Sequence, residues 1–245
     1  MDIKLLLCKL KVRFFPRFLR KGEFNYLLEK QGISVGKGTV FFGPETMQID
    51  RSRPYLLKIG EYCKITAGVT ILTHDYSRSV LRRAYGEVIG DGAETVIGNN
   101  VFIGMHATIL MGSHIGNNVI IGAGSVVSGR VPDNVVVAGN PARIIRTLDE
   151  HYEYWKKKEI KSACECFKSF YEAYKRYPTE KEMDPFWFLY LERNKDKLLS
   201  SGVNIDLSGD KREEIIQGFM ASKPVYNGYD EFVKYCCSYI EKDNA

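Results

Sequence analysis

The feature that most constrains the fold of this chain is a six-residue period between positions 97 and 129. Within "IGNNVFIGMHATILMGSHIGNNVIIGAGSVVSG", an aliphatic residue recurs at every sixth place, at Ile97, Ile103, Ile109, Ile115, Ile121 and Val127. A small or β-branched residue follows four places after each, and a glycine follows most of them directly, with Leu110 the clear departure. Helices repeat near 3.6 residues and strands at 2, so neither element explains this period.

A six-residue unit fits one flat side of a three-sided coil. Two or three extended residues make a short strand, and the small residue lets the chain turn a corner. The aliphatic side chains point inward, and coils stacked about 4.8 Å apart bury a continuous column that no single coil could bury. A β-sandwich would instead show two-residue alternation with turns roughly every 8 to 12 residues. The period therefore predicts a triangular parallel β-helix.

The same register continues upstream, with Ile59, Ile65 and Ile71 in place and a looser unit at Val35. We therefore expect the β-helix to cover residues 33–146 in about five coils of ~18 residues each. Two stretches interrupt it. The first, "RSRPYLLK", is short, and the second, "THDYSRSVLRRAYGEVIGDGAE", contains a protruding excursion loop at residues 75–94.

The segments on either side of the predicted β-helix have a different character. Residues 1–32 form a basic amphipathic helical segment, in which leucines and phenylalanines alternate with lysines and arginines. Residues 1–22 could cap the open first coil or lie on the inner face of an anionic membrane. Residues 147–245 are aromatic and charged, with Phe167, Phe170 and Tyr174 at helical spacing, and predict an α-helical extension whose aromatic residues form its core.

The overall composition narrows the class of protein. The 245 residues carry 35 basic and 30 acidic side chains, a net charge of +5 that does not call for a nucleic-acid partner. The six cysteines lack the spacing of zinc knuckles and redox motifs, so we expect reduced thiols that mostly fill the core of a cytoplasmic protein. No apolar run has the length of a membrane span, and the N-terminal stretch is too basic for a signal peptide.

Three motifs give the chain a family resemblance. The repeat run ending in "VPDNVVVAGNPARII" resembles the left-handed β-helix, hexapeptide-repeat acyltransferases over roughly residues 33–146. "ILTHDYS", with "VIGNNVFIG" downstream, is most similar to the branch that O-acetylates bacterial surface sugars, such as colanic acid and capsule acetyltransferases. The resemblance implies a left-handed coil, acetyl-CoA as donor without a metal, a carbohydrate acceptor, and a homotrimer with active sites between subunits.

The resemblance also implies that the histidine beside the excursion loop, His74, is the general base. A sugar hydroxyl does not ionise at neutral pH, and neutral imidazole is suited to taking its proton. The repeat itself requires no histidine at this place, and the adjacent Asp75 is a candidate to orient the ring. Some relatives carry an asparagine one coil earlier as a helper to the acceptor site, where "MQIDRSRPY" has none, which leaves Asp50, Arg51 or Arg53 as possible substitutes in that role.

By the same resemblance, acetyl-CoA lies along the coils where side chains are small, and its phosphates meet Arg143. The glycines among these positions also serve as coil corners, and both roles can hold together. In the excursion loop, aromatic and cationic residues are expected to overhang the acceptor, which would suit an acidic or phosphate-linked sugar, although they could also be solvated loop charges. The implied donor positions are Phe102, Gly104, Met105, Gly122, Ala123, Ser128, Arg130 and Arg143, and the acceptor positions are Tyr76, Arg78, Arg82 and Tyr85.

Other functions remain open at this point. The same fold serves acetyltransferases that modify antibiotics or serine, and it could serve as a non-catalytic sugar-binding scaffold. A metal-dependent carbonic anhydrase on this coil needs three histidines around a metal, two of them close in sequence, whereas His106 and His114 are eight apart at different repeat positions. Replacing His74 separates the catalytic interpretation from the scaffold.

Overall fold

The computed structural model describes residues 2–15, 18, 20, 22–206 and 209–243. Within the predicted N-terminal segment, residues 1, 16, 17, 19 and 21 lie outside the described residues. The chain folds into two compact units, Met1–His151 and Tyr152–Ala245.

Short parallel strands build the first unit. They are β1 (Ser34–Val35), β2 (Val40–Phe41), β3 (Gln48–Ile49), β4 (Leu57–Ile59), β5 (Lys64–Ile65), β6 (Thr70–Ile71), β7 (Thr95–Ile97), β8 (Phe102–Ile103), β9 (Thr108–Ile109), β10 (His114–Ile115), β11 (Ile120–Ile121), β12 (Val126–Val127), β13 (Arg130–Val131), β14 (Val135–Gly139) and β15 (Ala142–Thr147).

Each strand pairs with the strand three places along the chain, so the strands form three sheets that are the sides of a prism. We call them side A (β1-β4-β7-β10-β13), side B (β2-β5-β8-β11-β14) and side C (β3-β6-β9-β12). All these pairs are parallel, and β15 adds to side B as an antiparallel partner of β14. The register joins equivalent repeat positions, for example Ile103 to Ile121. The predicted three-sided β-helix is confirmed.

The aliphatic residues of the repeat form the core of the prism, where each is at most 3% exposed: Ile59, Ile97 and Ile115 from side A, Ile65, Ile103 and Ile121 from side B, and Ile71, Ile109 and Val127 from side C. Burying a side chain of this size contributes about 1.5–3 kcal/mol relative to leaving it exposed. Because the contribution is repeated in every coil, the column holds the prism together.

Asparagines build the corner between sides A and B, a role that the repeat pattern does not reveal. Asn100, Asn118 and Asn134 adopt positive φ angles of 54°, 55° and 58°, a conformation that asparagine tolerates better than most residues. Their amides stack in a ladder, with Asn100 donating to Asn118 at 2.9 Å and Asn118 to Asn134 at 2.9 Å. Gly98 sits at the same corner, where a Cβ would lie 2.5 Å from the Gly116 carbonyl oxygen.

The excursion loop contains a helix, α3 (Arg78–Tyr85), where we expected only a loop. The helix ends at Gly86 in the left-handed conformation, whose N–H donates to the Arg82 carbonyl at 2.9 Å. Its apolar residues Val80, Leu81, Ala84 and Tyr85 fall on one side of the helix, the usual signal of an amphipathic helix, but none of them is buried in this unit.

Two helices, α1 (Ile3–Phe14) and α2 (Glu23–Lys30), precede the first coil. The Asp2 side chain caps α1 by accepting from the Leu5 N–H, and Lys11 of α1 binds Glu23 of α2 at 2.8 Å. Cys8 of α1 and the buried face of α2 belong to the same hydrophobic cluster as the coil interior. The cap over the first coil is therefore present.

The second unit is helical, with α4 (Leu148–Tyr174), α5 (Lys195–Ser200), α6 (Arg212–Ala221) and α7 (Tyr229–Asp243). Its largest cluster centres on Phe167, Tyr190 and Phe232, whereas Tyr174 is exposed, so only part of the aromatic stripe predicted for this segment forms a core. The Cys164 and Cys236 sulfurs lie 3.5 Å apart in this cluster. Among the described residues, no helix combines the length and apolar character that a membrane span requires.

Candidate active site

His74 lies three residues beyond β6, at the corner where the chain leaves side C and the excursion begins. Its side chain is 24% exposed, and Nδ1 lies 2.5 Å from Oδ2 of Asp50. Asp50 reaches this place because it directly follows β3, the neighbour of β6 on side C, and its N–H donates to the Ile71 carbonyl at 2.9 Å. Stacking of adjacent coils therefore assembles the pair from positions 24 residues apart.

Asp50 is held ionised by its neighbours. Its side chain is only 5% exposed, and burial by itself would raise the pKa of this carboxyl group. Hydrogen bonds outweigh burial: the Thr73 hydroxyl donates to Oδ2, while the Ser52 N–H and hydroxyl donate to Oδ1 at 2.9 and 2.7 Å. Together with His74 they hold the pKa of Asp50 well below its usual range.

This arrangement sets the orientation of the imidazole. With Nδ1–H donating to the Asp50 carboxylate, neutral His74 carries its lone pair on Nε2. That nitrogen makes no hydrogen bond to any residue that the structure describes. A carboxylate that fixes the ring while Nε2 stays available is the arrangement of a general base.

Asp75, which we expected beside the imidazole, points elsewhere. Its carboxylate accepts from the Ser77 N–H at 2.8 Å and from the Ser77 hydroxyl at 2.5 Å, and these bonds lower the pKa of Asp75. The structure gives it no contact with the His74 ring nitrogens, and Nδ1 is paired instead with Asp50, which the sequence offered only as one of three substitutes for an acceptor-site asparagine. Neighbouring side chains diverge here because the chain turns into the excursion directly after His74.

A cavity of about 440 Å³ opens beside the imidazole. His74 and Tyr76 meet edge to face with ring centroids 5.6 Å apart, and Arg82 also faces this space. Tyr85 is 77% exposed and lies outside the lining. The full lining is Ser52, Arg53, His74, Asp75, Tyr76, Arg78, Ser79, Arg82, Val88, Ile89, Gly90 and Asp91.

Asp91, which sequence reasoning missed, anchors the excursion to the coil. Its carboxylate accepts from Arg78 at 2.6 Å and from the Asp75 N–H at 2.9 Å, and its carbonyl accepts from Arg53 at 2.6 Å. Arg78 is therefore paired with Asp91 within the loop, whereas Arg82 forms no ion pair with any described residue. The only sequence signal for this anchor was an aspartate near the end of a cationic loop.

Comparison with known proteins places the architecture in a family. The family model of bacterial transferase hexapeptide repeats, described as six repeats, matches residues 94–129. Protein CapG of Staphylococcus aureus is 39% identical over 143 residues, which are 57% of this chain and 80% of CapG. The chain is a hexapeptide-repeat transferase. The predicted fold class, a left-handed parallel β-helix with a protruding loop and a helical extension, is thereby confirmed.

Two further similarities accompany this hexapeptide transferase. The galactoside O-acetyltransferase of Escherichia coli K12 is 39% identical over 112 residues, 44% of this chain and 54% of that protein. A solved structure of a maltose O-acetyltransferase from Clostridium difficile 630 is 26% identical, covers 60% of this chain and 89% of its own, and has a TM-score of 0.40.

In this hexapeptide transferase, five of the eight residues expected to bind the donor lie at two corners of the prism, and the other three lie on strands. Gly104, Met105, Gly122 and Ala123 lie where side B turns into side C, whereas Ser128 lies at the corner of His74, where side C turns into side A. Phe102, Arg130 and Arg143 are exposed on β8, β13 and β15. The first group and His74 are therefore separated by the width of side C within one chain.

The corner glycines have a structural role of their own. A Cβ on Gly104 would lie 2.5 Å from the Ala123 nitrogen, and one on Gly122 would lie 2.8 Å from the Ala138 Cβ. The stacking of coils therefore demands glycine at both places. His106 lies at the same corner and His114 on side A, and no described residues form a group of three or more that could hold a metal ion.

Proposed function

We propose that this hexapeptide transferase is an acetyl-CoA-dependent O-acetyltransferase that acts on a hydroxyl of a bacterial surface polysaccharide or its precursor. The observation that carries the proposal is the Asp50–His74 pair, whose available Nε2 stands beside a cavity at a broken corner of the coil. The name of one relative, a galactoside O-acetyltransferase, supports a sugar hydroxyl as the acceptor.

The chemistry requires a base, and the pairing of His74 with Asp50 supports His74 in that role. Nε2 takes the proton of the acceptor hydroxyl while its oxygen attacks the acetyl carbon, so that a C–O bond forms and the C–S bond breaks. The imidazolium then returns the proton to the departing sulfur. Asp50, ionised and fixed by Thr73 and Ser52, stabilises the imidazolium in between, and a positioned base of this kind contributes about 10²–10⁴-fold.

The donor site is proposed to lie between copies of the chain. A thioester supplies the activated acetyl group, and the small residues at Gly104, Gly122 and Ala123 leave room for an extended arm beside the backbone. The exposed guanidinium of Arg143 suits phosphate. Because these corner residues and His74 are separated by side C, a second copy must complete the site, and we propose a homotrimer. A cytoplasmic location, where its free cysteines stay reduced, is part of the same proposal.

The cavity favours an acceptor with a negative charge. Arg78 is occupied by Asp91, but Arg82 faces the same space without an ion pair to a described residue, and Tyr76 offers a ring against which a sugar could pack. An uncharged antibiotic would leave Arg82 unused, and serine would leave most of the cavity empty. Neither is our first choice.

Transfer by purified full-length protein from isotopically labelled acetyl-CoA to a panel of acidic and neutral glycans, followed by mass spectrometry, tests the proposal. We expect acetylated glycan from the wild type, about 10²–10⁴-fold less from His74→Ala, and wild-type rates from His114→Ala, which alters an exposed histidine on side A. Sedimentation should show the same oligomer for all three proteins. Full activity of His74→Ala would remove the assigned base. Binding of glycans without any transfer would instead identify a scaffold.

A further inference from the structure

Helix α1 carries two apolar faces on opposite sides. With successive residues about 100° apart around a helix axis, Leu5, Cys8 and Val12 fall on one side. This first face packs on the core and accounts for the cap over the first coil. The second face is centred on the opposite side and spans about 100° of the circumference. Its side chains are 43–68% exposed, and they are Ile3, Leu6, Leu7, Leu10 and Phe14.

Nothing in the described unit requires the second face to be apolar. Five large side chains in one stripe form a contiguous exposed patch, and patches of this kind mark interaction surfaces. The first face already covers the first coil. The second face is therefore a surface suited to contact with a partner.

The charges beside the second face indicate what that is. Lys4 and Lys11 lie on one flank of the stripe and Lys9 and Arg13 on the other, and α1 itself contains no acidic residue. Lys11 is paired with Glu23, and Lys4 lies over the Tyr26 ring, whereas Lys9 and Arg13 form no ion pair with any described residue. An apolar stripe with cations on both flanks complements an anionic lipid surface, in which apolar side chains enter the acyl boundary and cations meet the headgroups.

We propose that α1 docks this protein on the surface of an anionic membrane through the second face, with Lys9 and Arg13 binding lipid phosphates. A second copy of the chain fits less well, because two such faces would bring their cationic flanks together. The proposal is independent of the acetyl-transfer reaction. It concerns attachment of the protein to a surface, and no residue of the second face lines the cavity beside His74.

Flotation of the full-length protein with phosphatidylcholine vesicles, with and without phosphatidylglycerol, tests the docking. The wild type should float with the anionic vesicles. Leu6→Gln/Leu7→Gln/Leu10→Gln should bind them about tenfold or more less tightly, because three apolar side chains no longer enter the lipid. The matched control Leu199→Gln/Val225→Gln, which alters exposed apolar residues of the second unit, should bind like the wild type.

A charge variant separates the two parts of the attraction. Lys9→Gln/Arg13→Gln should lose on the order of tenfold in affinity for anionic vesicles, and raising the salt concentration should weaken the wild type in the same direction. Point variants are preferred to deletion of the helix, since deletion would also uncover the first coil. Thermal unfolding and acetylation of a soluble acceptor should be unchanged in each variant.

Either of two flotation results would overturn the docking: a wild type that stays unbound with anionic vesicles, or a triple variant that floats as well as the wild type. If the wild type stays unbound, a smaller sedimentation coefficient of the triple variant would assign the second face to contact between copies. If the wild type floats with anionic vesicles but transfers no acetyl group, the result would count against the proposed function and not against the docking.

Discussion

The regular and the interrupted coils of the prism differ in what they contribute. Residues 97–131 keep the six-residue rule without insertion, and their inward residues are fully buried. In the coils before them, two extra residues follow β2, and longer insertions follow β3 and β6, both strands of side C, so the two longer insertions stack at one corner. The first of these longer insertions begins after Asp50 and the second after His74, and Arg53 joins them by binding the Asp91 carbonyl at 2.6 Å. The repeat builds the scaffold, and the breaks in it build the site.

Among the variants that test this difference between regular and interrupted coils, a buried charge in a regular coil should have the largest effect, on the stability of the fold. Ile103 is fully buried between Ile65 and Ile121, so Ile103→Asp would place a carboxylate in the aliphatic column with no partner. An unpaired buried charge costs several kcal/mol, a large share of the stability of a typical domain, at about 5–15 kcal/mol. We expect loss of folded protein, measured by soluble yield and circular dichroism.

The control for this variant places the same carboxylate on a neighbouring side of the prism, at His114→Asp, where the side chain is exposed on side A. That variant should fold. If Ile103→Asp folded as well as His114→Asp, the column would not be what holds the prism together.

A change at the interrupted corner should affect the reaction far more than the fold. Asp50→Asn keeps the shape of the side chain but removes its charge, and its amide group could force His74 into the other tautomer. We expect kcat to fall by on the order of 10²–10⁴-fold, the range for loss of a positioned base, while KM changes little. Steady-state kinetics with acetyl-CoA and the best glycan acceptor measures both constants.

Asp75→Asn is the matched comparison, since Asp75 is adjacent to His74 but bonds to Ser77. It should reduce kcat much less than Asp50→Asn. An equal loss of kcat in the two variants would mean that Asp50 is not the carboxylate that orients the His74 ring.

The sequence predicted the β-helix well because every coil requires the same residues, an aliphatic side chain that points inward and a small residue at each corner. Six-residue spacing fixed the inward residues, such as Ile103 and Ile121, and the glycines fixed the corners. Asp50 was considered only as one of three substitutes for an acceptor-site asparagine, and not as the partner of the His74 ring, because that pairing depends on how many residues separate two strands of side C. The insertions make that number irregular, so it cannot be counted from the six-residue repeat. Helix α3 was missed because its helical spacing of apolar residues extends over only eight residues inside an interruption of the coil, and Asp91 was missed because it belongs to no repeating pattern.

The asparagine ladder offers a smaller test of the regular coils. Asn118 combines a φ of 55° with two amide bonds, so Asn118→Ala should destabilise the first unit by about 1–2 kcal/mol for the left-handed backbone alone. Asn118→Gly removes the same bonds but tolerates the backbone, and it should lose less. Urea denaturation of both variants measures the difference. Equal losses would mean that the amide bonds, rather than the backbone angle, decide the residue at this corner.

The smallest expected effect is the response of the interrupted corner to acid. The pKa of Asp50 is lower in the folded protein than the value of about 3.9 usual for an unfolded chain. Its contribution to stability is therefore complete above that unfolded value and is lost as the pH falls below about 4 toward the folded pKa. Asp50→Asn should flatten the acid side of the stability curve of the first unit between roughly pH 5 and 3, measured by urea denaturation at each pH. Asp75→Asn should flatten it less, since Asp75 is exposed and its hydrogen bonds compete with water. If Asp75→Asn flattened the curve more, the hydrogen bonds that surround Asp50 would not be what keeps it ionised beside His74.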